Sequence, residues 1–486
     1  MQSQDLMQLR HMAIAAPIVS VLSAALLFNE FHAYSSDAGQ HYALVRALMD
    51  LHGWGSPAST PNLGPLPLYP PLSHWLAAEV GKLFGSGLRG MTVVASACVG
   101  LFYLAMFIMS SQISWRAPII ACLITIGYAL LRGPVFGRMV VNNYFYAQAV
   151  GSAFAAVVLL VALIKFHKWN GLLIDLFVLA AGQILVATHL MPAAQLLACY
   201  CTILLVHAWT RSSWQIAGRL ALFSGLSLAL IFQSPFASTV YLIAQAEGGA
   251  HINLVGNRLA QIVLLAAGVV ASIRLIWLTQ RQEDAGMFLG CMGLATCGLA
   301  LLQIGFFWLG FGSNYAIAKH MFVVVAVFIF VLAALMALKI SRPGEANKFG
   351  CAGMSVVWCS LLALLATRAD LYPSLVDLGK VVNFQNAVRE LSSRLDGSDQ
   401  RRPIALASVW PLNISYGITI GDLGLAMPIA DQMLLRKPLP VDRVSMVFMP
   451  VDDPALTPAC LVKAYSNQQV AASDYACYLR NTPSKR

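Results

Sequence analysis

Charge is what this chain has least of. Asp, Glu, Lys and Arg make up 11% of its 486 residues against 58% hydrophobic ones, whereas soluble domains carry about 25% charged residues to cover their surface. A water-soluble globular protein is thereby excluded, and lipid is the solvent for most of the chain. No repeat of twenty to fifty residues and no low-complexity stretch is present, which excludes solenoids and arrays. No small-residue cleavage site follows the first apolar run, so that run is expected to be a retained helix rather than a removed signal peptide. Eight of the ten cysteines lie in or beside apolar runs, where Cys acts as a small buried hydrophobe. Only Cys460 and Cys477 lie in a polar tail, and a disulfide between them is expected in an oxidising compartment.

Apolar runs bounded by charge or turn residues fall near 12–29, 91–109, 117–132, 147–164, 172–189, 193–208, 219–233, 259–279, 287–309, 320–338 and 350–367, about eleven transmembrane helices in all. The net charge of +10 would suggest a nucleic-acid partner in a soluble chain, but here the basic residues sit at the ends of spans. With the amino terminus cytoplasmic, eleven Lys and Arg fall on inner ends and loops, among them Arg10, Arg116, Lys165, Arg219 and Lys339, against seven on outer ones. That bias predicts a multi-pass protein of the bacterial inner or plasma membrane, amino terminus in and carboxyl terminus out. The weakest boundary is within 172–208, where Pro192 could instead make a re-entrant hairpin.

Two polar regions interrupt this pattern and divide the chain into 1–368, mainly helical and membrane-spanning, and 369–486. The outer loop at about 30–90 has a helical pattern after Ser36-Asp37-Ala38-Gly39-Gln40, a Pro/Gly-rich break, and a second amphipathic helix from Pro70-Pro71. Both helices are expected to lie along the membrane interface. Residues 369–486 read as a small extracytoplasmic α/β domain, with a helix over 375–395 and short strands at Pro403–Trp410 and Val444–Met449.

Acidic residues on the outer side ahead of the tail are few: Glu30, Asp37, Asp50, Glu79 and Glu247. Asp37 follows the first span by about two helical turns, at the level where a lipid headgroup and a water-borne substrate both reach, a good place for a general base. Its spacing to Gln40 is also that of a capping box, so helix capping competes with catalysis for it. Glu247 is a candidate second acid. Seven of ten histidines fall on the outer side, namely His32, His41, His52, His74, His189, His251 and His320. No two have HxxxH or HExxH spacing, so a divalent metal stays open as a cofactor, with His41 its candidate ligand, and no cofactor is required. Lys319 and His320, at the start of a long apolar span, could clamp a phosphate, as could Arg132 and Arg138. Asn142, Asn143, Tyr144 and Tyr146 offer hydroxyl contacts, and snorkelling is the competing role for the cations.

The run Ser36–Met49, then Gly53-Trp54, then Leu68-Tyr69-Pro70-Pro71-Leu72-Ser73-His74-Trp75-Leu76 and Leu83-Phe84-Gly85, resembles the first outer loop of the protein mannosyltransferase and aminoarabinose transferase group of the glycosyltransferase C superfamily. The resemblance covers about 55 residues closely. It implies an inverting membrane glycosyltransferase that takes a sugar from a polyprenyl-phosphate carrier and places it on a hydroxyl of a glycan, lipid or protein. Asp37 falls on the group's catalytic carboxylate. Phosphate binding is expected of Lys319, His320, Arg138 and Arg132, and substrate contacts of His41, Tyr42, Tyr69, His74, Asn143, Tyr315 and Glu247. The chain departs from the pattern at Ala38, where the group has a second acid, and at Tyr69, where it often has a cation. A transporter or flippase, a lipid-linked glycan ligase and an assembly subunit are the rival readings. The first lacks an inverted repeat, and the second would carry its large outer loop late in the chain.

Overall fold

The computed structural model describes residues 2–27, 30–32, 36–51, 66–131, 135–143, 145–238, 258–280, 284–340, 358–360, 362, 375–394, 404–406, 446–451, 456–468 and 470–481. The described chain is mostly helical. Helix α1 (Gln2–Leu27) leads through a short strand β1 (Glu30–His32) into α2 (Ser36–Met49) and α3 (Leu72–Phe84). There follow α4 (Gly87–Ser111), α5 (Arg116–Leu130), the short α6 (Arg138–Asn143), α7 (Tyr146–Lys165), α8 (Gly171–Val186), α9 (Leu190–Arg211) and α10 (Trp214–Phe232). The bundle is completed by α11 (Arg258–Thr279), α12 (Asp284–Trp308) and α13 (Asn314–Ile340).

Among the described residues seven helices, α4, α7 and α9–α13, are long and apolar enough to cross a bilayer, and α5, α8 and residues 13–26 of α1 are shorter apolar helices. The protein is an integral membrane protein. Ten of the expected spans coincide with these helices; of the eleventh, near 350–367, only four residues are described. Pro192 does not make a re-entrant hairpin. It sits in the first turn of α9, where a missing N–H leaves no hydrogen bond unmade, and His189 caps that helix by accepting from the Met191 N–H at 3.2 Å.

The outer loop forms two helices, as its pattern predicts. α2 begins at Ser36, so Asp37 lies inside its first turn rather than ahead of it as a capping residue. Ala38, Tyr42, Val45 and Leu48, spaced at i, i+4, i+7 and i+10, are buried along one face. The Arg46–Asp50 ion pair at 2.9 Å marks the exposed side. α3 starts after Pro71 and ends at Gly85, whose φ of 62° is the left-handed cap conformation that turns the chain straight into α4.

The α3–α4 crossing is backbone on backbone. A Cβ on Gly90 would stand 2.2 Å from the Ala77 carbonyl oxygen and 2.6 Å from the Gly81 nitrogen, a small-residue contact of the kind that lets membrane helices approach closely. Gly90→Ala is therefore expected to push α3 outward and cost about 1–3 kcal/mol. A lower unfolding temperature in detergent, measured against Gly127→Ala where a Cβ meets nothing within 4 Å, checks this. Equal melting of the two variants would contradict it.

At the far end of the bundle Asp175 of α8 is buried. Its carboxylate accepts from Arg219 Nε and a terminal guanidinium nitrogen of α10, both at 2.8 Å, and from the Tyr200 hydroxyl of α9 at 2.8 Å. α10 fully buries only Phe223 and Ser227 and otherwise presents a largely lipid-facing surface, so this network, with the Phe223–Tyr200 ring contact, anchors it to α8 and α9.

The polar carboxyl-terminal part departs from expectation in detail. Residues 375–377 form a strand, β2 (Leu375–Asp377), and the helix, α14, runs Leu378–Ser392 rather than from 375. β2 pairs antiparallel with β1, Phe31 opposite Val376, which ties the chain just before α2 to the start of this region. A four-stranded sheet follows in the order β3-β4-β6-β5, from β3 (Ile404–Leu406), β4 (Met446–Pro450), β5 (Leu461–Ser466) and β6 (Val470–Asp474). β3 falls within the first strand read from sequence, and β4 overlaps the second, running one residue past it to Pro450. β5 and β6 were hidden because the β5 ladder is irregular between Val462 and Ser466 and β6 is rich in alanine, a weak strand former. Cys460, at the head of β5, is disulfide-bonded to Cys477 in α15 (Tyr475–Asn481). Closing a loop of about 15 residues is worth about 3 kcal/mol in the chain-entropy account.

Candidate functional site

The crossing of α2 and α3 brings His41 against His74. His41 Nδ1 lies 2.7 Å from His74 Nε2, and the rings stack with centroids 4.9 Å apart. Tyr69 packs edge-on against both, at 5.8 and 5.6 Å, and against His189 at 6.4 Å. Tyr146, the first residue of α7, closes the other side 5.7 Å from His74 and donates its hydroxyl proton to the Ser73 carbonyl at 2.6 Å. All five of these aromatic and imidazole side chains are buried.

α13 supplies the charge. The Lys319 ammonium rests 4.4 Å from the Tyr315 ring and 4.8 Å from that of Phe145, contacts that stabilise a partly desolvated cation. Gln148 of α7 donates to the Lys319 carbonyl at 2.6 Å, pinning this turn of α13 to α7. His320 is buried, with Nδ1 3.5 Å from Gln195 Nε2 of α9. Five helices thus converge on one cluster, α2 and α3 contributing the paired histidines.

Burial, and then the charge of Lys319, lowers His41 from 6.5 to about 3. His74 is also well below the usual imidazole range through burial and the neighbouring His41, partly offset by a hydrogen bond to the Pro70 carbonyl. At neutral pH both rings are therefore uncharged, and Lys319 carries the positive charge among these groups. Depressed imidazole values favour the fold above the unfolded value of 6.5, and the advantage is lost as pH falls toward 3.

Beside the cluster lies a cavity of about 520 Å³ between α1, α3, α4, α7 and α8. Its walls are almost wholly apolar, with Ala16, Leu101, Phe154 and Val157 among them, and Ser73 and Thr188 where it approaches the histidines. Ser73 belongs to both spaces: it lines the cavity, and its hydroxyl is 3.3 Å from His74 Nδ1.

Of the residues singled out from sequence, His41, Tyr69, His74, Tyr315, Lys319 and His320 come together here. Tyr42 does not; it is buried between α2 and α4, against Gly87. Arg138 is buried, with one guanidinium nitrogen donating to the Ala129 carbonyl of α5 at 2.5 Å. Asp37 is one helical turn before His41, but its side chain lies outside the described residues, as does that of Asn143; Arg132, Tyr144 and Glu247 lie outside them altogether. Among the described residues no three His, Cys, Asp or Glu side chains gather as a metal site. Ser73, Gln148 and Gln195 were not singled out from sequence. Their signal was there: an amide within the first two turns of an apolar span is costly in lipid and points inward.

No protein-family model matches the chain, and no curated protein matches it in sequence. Solved structures do. ArnT from Cupriavidus metallidurans bound to undecaprenyl phosphate superposes with a TM-score of 0.50 at 14% identity, covering 97% of this chain and 98% of that one. The apo form of the same enzyme gives 0.49 at 15% identity over 95% and 97%. The Archaeoglobus fulgidus oligosaccharyltransferase tethered with an acceptor peptide gives 0.44 at 12% identity, over 91% of this chain and 69% of that one. Along nearly its whole length, this chain shares the fold of that ArnT structure.

Proposed function

We propose that the protein is an inverting membrane glycosyltransferase that moves a sugar from a polyprenyl-phosphate carrier to an acceptor hydroxyl on the extracytoplasmic face. One observation carries this reading. Among the described residues, the Lys319 cation and several buried, neutral hydrogen-bonding rings stand directly at the end of an apolar cavity, and Ser73 lines both. A ligand matching the pair has a phosphate at one end and a hydrocarbon chain at the other. The fold supports the same reading, since the ArnT structure that shares it holds undecaprenyl phosphate.

The reaction is a single displacement. The acceptor oxygen attacks the anomeric carbon while Asp37 takes its proton. The bond from that carbon to the phosphate oxygen breaks, and its electron pair leaves with the phosphate. Lys319, with His320 behind it, balances the charge that grows there. Tyr69 stands where a cation often precedes the Pro-Pro-Leu run, so its contact with the sugar is a hydrogen bond or ring stacking. Residues 369–486 form an extracytoplasmic domain whose strand β2, paired with β1, braces the chain leading to Asp37.

The test is reconstitution of purified protein in vesicles with a panel of labelled prenyl-phosphate sugars and glycolipid acceptors. A new glycosidic bond with inverted anomeric configuration is expected. Labelled carrier crossing the bilayer with no new bond would make the protein a transporter instead.

A further inference from the structure

The reading of this site as a phosphate site leaves the paired histidines without a role, and their hydrogen-bond directions give them one. A carbonyl only accepts, so the bond to Pro70 must come from an N–H of the His74 ring. His74 Nε2 faces His41, which makes Nδ1 the protonated nitrogen and leaves the Nε2 lone pair to accept. His41 Nδ1 is then the donor in the 2.7 Å contact, and His41 Nε2 carries the unshared pair. A backbone carbonyl, an orienting ring and a basic nitrogen stand in series, the arrangement that readies an imidazole to take a proton.

The groups around this pair decide when that happens. Lys319 of α13, His189 at the head of α9, Tyr69 and Tyr146 face it. From α4 the approach is through Gly87, against Tyr42, Val45 and Met49, and Arg138 of α6 is bonded to Ala129. In the empty site burial keeps both rings neutral, helped by Lys319 at His41 and by His41 at His74. A donor phosphodiester brings one negative charge, which Lys319 matches; after the sugar leaves, the phosphate monoester carries two.

Resting on the glycosyl-transfer reading, we propose that the His41–His74 pair is the proton store of the site. It accepts at His41 Nε2 the proton that Asp37 took from the acceptor, which returns Asp37 to its carboxylate form as the leaving phosphate gains its second negative charge. The balance closes: an alcohol and a singly charged donor give the glycoside, a doubly charged phosphate and one proton, and the pair holds that proton beside the phosphate. The imidazolium so formed donates a charge-assisted bond through Nδ1 to His74 Nε2. An opposite charge a few ångströms away moves a titration by about one to three pH units. Two such charges carry His41 from about 3 toward neutrality.

Farnesyl phosphate, bound to the full-length protein in detergent from pH 8 down to pH 6.5, tests this without turnover. Calorimetry in two buffers of different ionisation enthalpy counts protons, and the 31P shift of the bound ligand reads its own charge. The expected result is little uptake at pH 8, rising to more than about half a proton per ligand at pH 6.5, with the shift of a dianion. Uptake should fall to near zero in His41→Asn and His74→Gln, which keep a donor and an acceptor at the bonded positions. Uptake with the shift of a monoanion puts the proton on the phosphate and overturns the proposal, as does binding with no uptake at pH 6.5. The wild-type measurements decide even where a variant fails to fold. Failure of farnesyl phosphate to bind at all would remove the phosphate site itself, a different result from binding without a proton.

Discussion

Asp37→Asn is expected to lower sugar transfer by about 10²–10⁴-fold, the range that a positioned general base supplies, while donor affinity stays the same or rises. The size of that loss separates chemistry from folding. Asp37 lies in the first turn of α2, where a negative charge favours the helix by only about 0.3–1 kcal/mol. Asparagine keeps the shape and one acceptor oxygen, so that the charge is the main thing removed. The predicted loss equals about 3–5 kcal/mol of barrier, so destabilisation of one helix end does not account for it. Circular dichroism and melting close to wild type, together with the lost rate, assign the carboxylate to the reaction. Turnover retained within tenfold would remove Asp37 as the base.

Lys319→Met is expected to weaken prenyl-phosphate binding by about 10–100-fold, the worth of a hydrogen bond to a charged partner at about 1.5–3 kcal/mol. Methionine keeps the apolar stem against Tyr315 and Phe145, where the ammonium now rests 4.4 and 4.8 Å from the ring centres. What is lost is therefore charge rather than packing. Because Lys319 also disfavours a proton on His41, the variant has a second signature. Its empty site protonates at higher pH than that of the wild type, and proton uptake per bound phosphate falls at the acid end of the range. Unchanged affinity would return Lys319 to the ordinary role of a snorkelling cation.

Much of this was legible in the residues. α2 and α3 could be read because their apolar spacing is local and because Pro70-Pro71 and Gly85 punctuate α3. The scarcity of outer carboxylates pointed to Asp37, and the outward skew of the histidines pointed to His41, His74 and His320. What could not be read was which of them meet. His41 and His74 are 33 residues apart, and Gln148 and Lys319 are 171 apart; nothing periodic links such positions. The pairing of β1 with β2 was hidden for the same reason, since three-residue strands carry too little alternation to register. The partner of Arg138 was equally beyond the local pattern, since the six-residue helix α6 brings one of its guanidinium nitrogens to a carbonyl of α5.

A cryo-EM structure of the protein with a bound prenyl phosphate tests most directly whether the paired histidines and Lys319 form the headgroup end of a lipid-carrier site. The phosphate is predicted beside Lys319 and the His41–His74 pair, with the first isoprene units in the cavity of about 520 Å³ between α1, α3, α4, α7 and α8. Density for the phosphate on the opposite face of the bundle, or for a chain that leaves this cavity empty, would contradict the account.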